Sequence, residues 1–424
     1  MRSLEDWLDF TSSLHPVEVD LGLDRVREVV ERLLPGGRLP FPVITVAGTN
    51  GKGSCVVMLE SILVAAGYSV GCYLSPHLVR FNERFRVSGQ ESTDSALVLA
   101  YRAVEKARGS TSLTYFEFAT LAAFNLFSTQ KIDVAILETG LGGRLDAVNS
   151  VDADAALITS IGLDHTALLG TTREEVGSEK AGVFRPGQPA VCADPDPPVT
   201  IHQTAETIGA SLWQVDKDYG YSLVEGGWQW WSSGENPWGL KGSDVIPRPG
   251  LSGEHQIGNS AAVVALLSTV SKEIPVGRSA IIQGLKTASL RGRLEIVSRS
   301  PEVIIDVAHN RDAAKQLSCF LQERHKRWTV AVFSMLRDKA IEEVVKAIGD
   351  SIDLWIVAGI DDPRGLESEF LARVVKPHIE KKPLYCRESV AEAYLLAHQL
   401  ADDGDRIVVF GSFHTAGAIL ALPK

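Results

Sequence analysis

The sequence is organised around one stretch near its start, Val43-Ile44-Thr45-Val46-Ala47-Gly48-Thr49-Asn50-Gly51-Lys52-Gly53-Ser54. Its first residues, 43–46, are β-branched and mostly apolar, which predicts a buried strand. Three glycines follow within six residues, and an amphipathic helix is predicted from about Ser54 to Ala66. A strand, a glycine-rich loop and a helix in this order suit a triphosphate, because the loop can turn its N–H groups inward and the helix N-terminus adds positive potential.

The loop departs from the strict Walker pattern at two points. Val46 stands where the first glycine of the pattern would be, and Gly53 separates Lys52 from Ser54. The alternative is a glycine-rich turn beside an ordinary lysine. Because a strand and a helix flank the loop, we favour nucleotide binding, with Lys52 reaching the outer phosphates and Ser54 offering a hydroxyl to magnesium. The predicted phosphate-binding residues are Gly48, Thr49, Asn50, Gly51, Lys52, Gly53 and Ser54.

Length and charge limit the class of protein. At 424 residues the chain is too long for one typical core, so two or three domains are expected. An apolar share of 45% and a charged share of 22% are typical of soluble globular proteins. The net charge of -11 argues against nucleic acid or an acidic membrane as the main partner. Anionic ligands must therefore be held by local Lys, Arg and backbone N–H groups.

Cysteine usage and apolar runs indicate the compartment. The five cysteines are scattered and form no C-x-x-C pair, so we interpret them as buried small apolar residues in a reducing compartment. The first 14 residues carry three acidic residues and no apolar core, which does not fit a signal peptide. The apolar run 260–270 is too short to span a bilayer. We expect a cytoplasmic protein.

Strands and helices alternate along most of the chain. Two helices, 3–14 and 20–34, precede strands predicted at 42–47, 69–74, 132–138, 154–159 and 189–193. The helices between them are predicted at 53–66, 93–108, 115–129, 173–184 and 199–210. This alternation predicts βαβ units and a mostly parallel sheet covered on both faces. Residues 219–238 interrupt it and predict a small antiparallel excursion, in which Trp228, Trp230 and Trp231 are packing residues.

A second α/β series follows a short polar hinge near 289–292. Helices at 256–271 and 276–287 lead into it, and its strands are predicted at 293–298, 302–307, 328–333, 353–357 and 405–410. Its helices are predicted at 311–325, 338–348, 366–374, 389–400 and 413–421. The predicted fold class is α/β, with one larger domain over residues 1–290 and a smaller, Rossmann-like one over residues 291–424.

Polar residues follow several predicted strands. Ser75, Glu138 and His165 each stand at or just past the end of a strand, and glycines around Glu138 leave room for a ligand. Ligands of open parallel sheets bind at the carboxyl ends of the strands. Each residue alone would be interpreted as a loop or structural residue. Together, beside a phosphate loop, a carboxylate, a hydroxyl and an imidazole predict a Mg²⁺ site, since this ion takes few protein ligands.

These motifs match a known family. Residues 47–54, 75–78, 138–146, 163–165 and 179–182 resemble those of folylpolyglutamate synthases, which are folate-pathway members of the Mur ligase superfamily. The similarity runs from about residue 20 to residue 414. Residues 19–23 and 113–117 look most like the bacterial bifunctional enzymes, which also act as dihydrofolate synthases.

The resemblance implies an ATP-dependent amide ligase with a P-loop domain of the Mur ligase type. A carboxylate of dihydropteroate or of a reduced folate would attack the γ-phosphate, giving an acyl phosphate and ADP. The amine of L-glutamate would then attack the acyl carbon and release phosphate. Positioning and neutralisation of charge dominate such a reaction.

The resemblance also implies roles for the residues at the strand ends. Ser75 and Glu138 would hold one Mg²⁺ ion, and Glu138 and His165 a second, with Lys52 also catalytic. The lysine that matches Lys180 is carbamylated in relatives, so Lys180 is expected to be an anion that supports the metal site. From the sequence alone, Lys180 is an ordinary helix lysine beside Glu179.

Further residues are assigned by resemblance to the two substrates. The second domain is expected to supply the other wall of the ATP site and to complete it on closure; this wall comprises Asn259, Arg293, Asp306 and His309. The residues assigned to dihydropteroate are Asp20, Leu21, Gly22, Leu23, Thr114, Tyr115, Phe116, Glu117, Leu145, Asp146 and Ala147. Among them, Phe116 would stack on the pterin, or else be a plain helix core residue, and Asp146 would accept hydrogen bonds from the pterin.

Two alternatives to this function differ in what they bind or make. One is a Mur-type ligase that adds an amino acid to a cell-wall or other acid, against which the match around the pterin residues argues. The other is a nucleotide-dependent switch or kinase-like protein that forms no amide bond. The expected partners are small molecules only, and relatives suggest a monomer.

Overall fold

The structure is a computed structural model that describes residues 2–234, 236–240, 244–324 and 326–422. Its first domain is built on an eight-stranded sheet. The strands are β1 (Val43–Ala47), β2 (Val70–Tyr73), β3 (Phe85–Val87), β4 (Gln90–Glu91), β5 (Val134–Glu138), β6 (Ala155–Ile158), β7 (Pro189–Cys192) and β8 (Ser211–Gln214). They lie in the order β4-β3-β2-β5-β1-β6-β7-β8. The pairs β2–β3 and β3–β4 are antiparallel and all other pairs are parallel, so the carboxyl ends of β1, β2, β5, β6, β7 and β8 share one edge.

Helices cover both faces of this sheet. They are α1 (Leu4–Ser12), α2 (Asp24–Leu33), α3 (Lys52–Ala65), α4 (Asp94–Arg108), α5 (Tyr115–Gln130), α6 (Thr166–Leu169), α7 (Arg173–Ala181), α8 (Val199–Ile208), α9 (His255–Thr269) and α10 (Arg278–Thr287). One apolar core joins α3, α9 and α10 to one face, and a second joins α1, α2, α4 and α5 to the other. A hairpin of β9 (Tyr219–Val224) and β10 (Gly227–Ser232) packs against α9.

Helix α3, which follows the phosphate loop, has no exposed face over most of its length. Ten of its residues, including Glu60, are buried, because the sheet covers one side and α9 and α10 cover the other. The prediction of an amphipathic helix here was therefore wrong. An all-apolar helix surface is expected where a helix is enclosed on every side.

The second domain is a six-stranded α/β unit. Its strands are β11 (Glu295–Arg299), β12 (Glu302–Ile305), β13 (Thr329–Phe333), β14 (Leu354–Ala358), β15 (Leu384–Arg387) and β16 (Arg406–Phe410), in the order β11-β12-β16-β13-β14-β15. Its helices are α11 (Arg311–Gln322), α12 (Ile341–Ile348), α13 (Ser368–Val375), α14 (Val390–Leu400) and α15 (Phe413–Leu420). All its strands except β11 run parallel. Again, the loops after the parallel strands gather at one edge.

The two-domain α/β architecture confirms the predicted fold class. The domain limits at 290 and 291 stay a prediction; they fall in the connection between α10 and β11. Strands β3, β4, β8 and β15 were not predicted, because they are short and, except for one end of β3, half-exposed or exposed, and so lack an apolar run. Helix α2 begins at Asp24 rather than at residue 20, since residues 20–23 form a loop.

The predictions for tryptophans and cysteines hold in part. Trp228 and Trp230 are buried in the core, whereas Trp231 is 39% exposed. All five cysteines are free, but Cys319 is exposed and Cys386 is half-buried, so only the other three are buried apolar residues as predicted. Among the described residues, none of the helices combines the length and the apolar character needed to cross a bilayer.

Candidate active site

The predicted phosphate loop joins β1 to α3 in a fixed conformation. Gly48 has φ +148°, and a Cβ atom there would lie 1.9 Å from Oγ1 of Thr159, so only glycine fits. Gly51, with φ +89°, is the N-cap of α3. The carbonyl of Asn50 accepts hydrogen bonds from Oγ1 of Thr159 (2.6 Å) and Oγ of Ser160 (3.1 Å). Residues that follow β6 therefore hold the loop in place.

Lys52 lies inside this loop rather than in solvent. Its Nζ donates hydrogen bonds to the carbonyls of Gly48 (3.1 Å) and Thr49 (3.3 Å). Burial lowers the pKa of Lys52, and the negative charge of Glu138 offsets this only in part. A buried ammonium held only by carbonyls is well suited to bind phosphate oxygens.

Glu138 is the last residue of β5 and is only 4% exposed. Its Oε2 accepts a hydrogen bond from the backbone N–H of Ser75 at 3.1 Å. Burial raises the pKa of Glu138, although the charge of Lys52 counteracts the shift. The structure thus brings together Ser75, Glu138 and Lys52, which the sequence predicted to meet at the carboxyl edge of the sheet.

These residues fit a cation that takes few protein ligands. Within the described residues, no group of three or more His, Cys, Asp or Glu side chains could hold a metal ion. In the same part of the chain, Oε1 of Glu138 accepts no hydrogen bond, so one oxygen of a buried carboxylate is left for a cation. A carboxylate beside a serine suits Mg²⁺, which keeps waters and phosphate oxygens as its other ligands.

His165 is the third predicted metal ligand. It adopts a left-handed conformation with φ +51°, just before α6. Its Nε2 lies 3.1 Å from Nζ of Lys339, a residue of the second domain. Burial lowers the pKa of His165 to about 4, because the charge of Asp164 does not compensate for lost hydration. The imidazole is therefore neutral at pH 7, the form that binds metal ions.

Asp164 connects the two domains. Its Oδ1 accepts a hydrogen bond from Nζ of Lys339 at 2.6 Å, and its Oδ2 lies 3.3 Å from Nε2 of His309. Burial alone would raise the pKa of Asp164, but the hydrogen bond from His309 and the positive charge of Lys339 hold that pKa well below its usual range. The carboxylate is thus charged and paired with two side chains of the other domain.

Asn259 does not belong to the second domain, as the sequence analysis assumed. It lies on α9, which packs against α3, and its Oδ1 would be 3.0 Å from a Cβ atom placed on Gly51. Its Nδ2 donates a hydrogen bond to Gln256, whose Nε2 donates to Oγ of Ser54 at 3.2 Å. The amide therefore contacts the phosphate loop from within the first domain.

Arg293 and Asp306 come from the second domain and lie near this edge. Arg293 stacks 5.1 Å above the ring of Phe413, and burial lowers its pKa despite the charges of Asp306 and Glu138. Asp306 accepts hydrogen bonds from the N–H groups of Leu294 and Ala308. Asp306 thus fixes the loop beside Arg293, and Arg293 is the residue of the pair that is free to bind phosphate.

Lys180 occupies an unusual position for a lysine. It lies in the last turn of α7 and is 3% exposed, and its carbonyl would lie 2.8 Å from a Cβ atom placed on Gly143. Burial, reinforced by the positive charge of Lys52, lowers the pKa of Lys180 to about 7. Lys180 therefore differs from an ordinary helix lysine, whose side chain would be exposed to solvent.

Asp146 and Phe116 contact the loop that follows Glu138. Asp146 is 3% exposed, and its two oxygens accept hydrogen bonds from the N–H groups of Leu141 (2.8 Å) and Val148 (2.9 Å). Burial outweighs these bonds and raises the pKa of Asp146 to about 6. Phe116 is half-buried, with its ring against Gly140, where a Cβ atom would lie 2.6 Å from the ring. Its ring is thus not enclosed like a plain core residue.

An ion-pair network joins two of the segments assigned to dihydropteroate. Arg25 donates hydrogen bonds to Asp20 (2.6 Å) and to Oε1 of Glu117 (2.9 Å), while Oε2 of Glu117 accepts from the N–H of Thr114. His15 also contacts Asp20, at 3.2 Å. Both carboxylates are therefore engaged within the protein, which indicates a structural part for them. Three of the other assigned residues, Leu21, Gly22 and Leu23, follow Asp20 in the loop before α2. Tyr115 is the first residue of α5, and Leu145 and Ala147 flank Asp146.

Sequence reasoning missed three side chains of this region. Lys339 and Asn310 follow β13 and β12, and the rule that ligands bind at strand ends predicts both. Asn310 exchanges two amide hydrogen bonds with Asn50 of the phosphate loop. Arg84 lies in a short 3₁₀ turn after Ser75, and no local pattern marks it out.

This fold and site define a class. An ATP-dependent ligase of the Mur type has three such parts. They are a phosphate loop in one α/β domain, a buried carboxylate beside that loop, and a second α/β domain that lies against both. Family models agree: the Mur ligase middle domain matches residues 46–267, and the Mur ligase glutamate ligase domain matches residues 292–413.

Comparison with individual relatives shows which family of Mur ligases the chain resembles. The chain is 43% identical to the dihydrofolate synthase/folylpolyglutamate synthase of Escherichia coli, over 98% of this chain and 94% of the relative. It is 35% identical to the enzyme of the same name from Bacillus subtilis, over 81% and 82% of the two chains. The chain therefore belongs to the dihydrofolate synthase/folylpolyglutamate synthase family.

Solved structures show the same fold. The structure of E. coli FolC in complex with DHPP and ADP matches with a TM-score of 0.91 and 42% identity, over 99% of this chain and 97% of that chain. A bifunctional folylpolyglutamate synthase/dihydrofolate synthase with Mn, AMPPNP and L-glutamate bound matches with a TM-score of 0.89 and 42% identity, over 99% and 98% of the two chains.

Proposed function

We propose that this protein is an ATP-dependent ligase that joins L-glutamate to dihydropteroate, giving dihydrofolate, and to reduced folates, giving folylpolyglutamates. One observation carries the proposal: Glu138, a buried carboxylate, lies beside Lys52 of the phosphate loop at the edge where the second domain closes. The relatives described above bear this activity in their names and were solved with DHPP, a nucleotide, Mn and L-glutamate.

The first step activates the acid. An oxygen of the substrate carboxylate attacks the γ-phosphorus of ATP, the bond to the bridging oxygen breaks, and ADP leaves with that electron pair. Lys52 and the N–H groups of residues 51–54 would hold the phosphates, since those of Thr49 and Asn50 already donate to Ser160. Asn259 supports this loop. Arg293, Asp306 and His309 provide the wall from the second domain, with Asp306 and His309 fixing its geometry.

Ser75, Glu138 and His165 would hold two Mg²⁺ ions. When bound, the ions offset the negative charge of the phosphates and of the substrate carboxylate. Glu138 suits this role because it is a buried carboxylate, and within the described residues its Oε1 accepts no hydrogen bond. His165 serves it as a neutral imidazole.

The second step forms the amide bond. The amine nitrogen of L-glutamate attacks the acyl carbon of the acyl phosphate, the tetrahedral intermediate expels phosphate, and the amine loses a proton. Backbone groups and positive side chains around the site position the two reactants and exclude water once the domains close. The contacts of Asp164 with Lys339 and His309 favour that closed arrangement.

Lys180 is the residue that we propose to be carbamylated. Its neutral amine, favoured by a pKa of about 7, adds to the carbon of CO₂ and releases a proton, which turns a buried cation into an anion. The anion would neutralise the neighbouring Lys52 and support the metal site. Protein prepared in ¹³C-bicarbonate should show a carbamate NMR signal that is absent from Lys180→Met; its absence from wild type as well would contradict the assignment.

The proposed activity is tested with purified protein, ATP, Mg²⁺, L-glutamate and either dihydropteroate or tetrahydrofolate. We expect ADP, phosphate and a product heavier by one glutamyl residue, identified by mass spectrometry. Release of phosphate without an amide product would favour a nucleotide switch, and turnover only with a cell-wall acid would favour another Mur ligase. We further propose that the protein is a monomer and that it is located in the cytoplasm.

A further inference from the structure

Arg84 is a buried arginine without a carboxylate partner. It is 8% exposed, and within the described part of the chain no acidic side chain forms a salt bridge with it. The other buried arginine among the described residues, Arg406, is 1% exposed and pairs with Glu302 at 2.8 Å. A buried guanidinium is costly unless it is paired, so an unpaired one indicates an anion supplied from outside the chain.

The surroundings of Arg84 fix its orientation. Its Nε donates a hydrogen bond to Nδ1 of His77 at 2.9 Å, and its guanidinium lies 5.4 Å from the ring of Phe81 and 5.6 Å from the ring of Tyr115. Because Nε of Arg84 always carries a proton, Nδ1 of His77 is the acceptor of this bond. Within the described residues the two terminal nitrogens donate no hydrogen bond. These two nitrogens of the guanidinium, which are the ones that bind a carboxylate side by side, are therefore free.

Arg84 lies between the two parts of the proposed site. It is the last residue of the 3₁₀ turn Phe81–Arg84, which follows the loop that contains Ser75, so it lies near the proposed metal ligands. Tyr115, which it contacts, begins α5 next to Phe116, on the side assigned to the pterin. The charge of Arg84 also acts on Glu138, so a carboxylate bound by Arg84 would lie near the proposed metal ligands.

We propose that Arg84 binds a carboxylate of a substrate through its two terminal nitrogens. This inference rests on the proposed function and adds a residue that recognises the substrate. Two carboxylates qualify: the reacting carboxylate of dihydropteroate and a carboxylate of L-glutamate. Either would supply the missing negative charge, and the planar fork would orient it toward the site of transfer.

The experiment compares dihydropteroate with its carboxamide analogue, which differs only in the charge of the binding group. Dissociation constants are measured by calorimetry for wild type, Arg84→Met and Arg84→Gln, together with the KM for glutamate. Arg86→Met is the matched control, since Arg86 lies two residues away but pairs with Glu60. We expect wild type and the control to prefer the acid by ~10- to 100-fold, and Arg84→Met to lose that preference.

The outcomes separate the sources of the carboxylate. A lost preference for the acid assigns Arg84 to dihydropteroate, whereas an unchanged preference with a tenfold or larger rise in the KM for glutamate assigns it to glutamate. An unchanged preference with an unchanged KM overturns the inference, as does an equal loss of affinity for acid and amide. If Arg84→Met does not fold, Arg84→Gln, which also removes the charge, is judged by the same criteria. Wild type that binds no dihydropteroate and makes no dihydrofolate would instead overturn the proposed function.

Discussion

Asn50 and Asn310 form a reciprocal amide pair across the junction of the two domains. Nδ2 of Asn50 donates to Oδ1 of Asn310 at 3.1 Å, and Nδ2 of Asn310 donates to Oδ1 of Asn50 at 2.9 Å. Asn50 is part of the phosphate loop, and Asn310 caps α11 by accepting a hydrogen bond from Ala313. The position of the second domain is thus linked directly to the shape of the loop.

Asn310→Ser should weaken ATP binding without unfolding the protein. Serine can still cap α11, but both bonds to Asn50 are lost, so we expect the KM for ATP to rise by ~5- to 10-fold with little change in Tm. Asn310→Asp keeps the acceptor but replaces the donor with a negative charge beside the phosphate loop, so we expect it to raise the KM for ATP at least as far as Asn310→Ser. A KM of Asn310→Ser within twofold of wild type would argue against a role of the amide pair.

Glu138→Gln should abolish turnover and leave the fold intact. Glutamine retains the size of the side chain but removes the charge that a cation needs, so kcat is expected to fall by on the order of 10³ or more. Thermal unfolding without metal should be unchanged or shifted upward, since burial already disfavours the charged form of Glu138. Glu60→Gln is the control: it breaks a buried pair with Arg86 away from the site and should lower Tm while leaving kcat near normal. Near-normal activity of Glu138→Gln would count against the metal assignment.

The buried lysine makes stability depend on pH in CO₂-free buffer. The pKa of Lys180 is about 7 in the folded protein and near its model value of 10.5 when unfolded. Between these values the unfolded chain binds more protons, so stability should rise as the pH is raised from 7 to 9, by at most ~1.4 kcal/mol per unit. Lys180→Met should be more stable than wild type at pH 7 and should lack this part of the rise. Urea unfolding at several pH values measures the difference; parallel curves for the two proteins would contradict the shifted pKa.

Arg25→Met should impair binding of the acid and spare binding of ATP. Arg25 joins the Asp20 loop to Glu117 at the start of α5, so its loss leaves a buried glutamate unpaired and frees the loop. We expect the KM for dihydropteroate to rise by about tenfold and the KM for ATP to stay within twofold. Arg32→Met, on the same helix, removes an exposed pair with Glu28 and exposed hydrogen bonds to residues 107, 108 and 111, and it should change neither constant.

The parts of this protein that could be predicted are those encoded locally. Strands buried on both faces, such as β1 and β5, are continuous apolar runs, and polar residues at their ends mark the site edge. Helix α3 was misjudged because its outer face is covered by helices that come 200 residues later in the chain. Arg84 could not be recognised because a missing salt bridge is visible only once every neighbour is known. Lys339 was overlooked although it obeys the rule that identified Glu138.

Asp164 and His165 are consecutive, so the residue that anchors the second domain is bonded to a proposed metal ligand. When the domains separate, Asp164 loses both of its partners, and the backbone that holds the imidazole in its left-handed conformation loses that support. We expect the open enzyme to be a poor ATPase for this reason. ATP would then be consumed only after the second domain has closed. This order would prevent wasteful hydrolysis of ATP and would keep water away from the acyl phosphate.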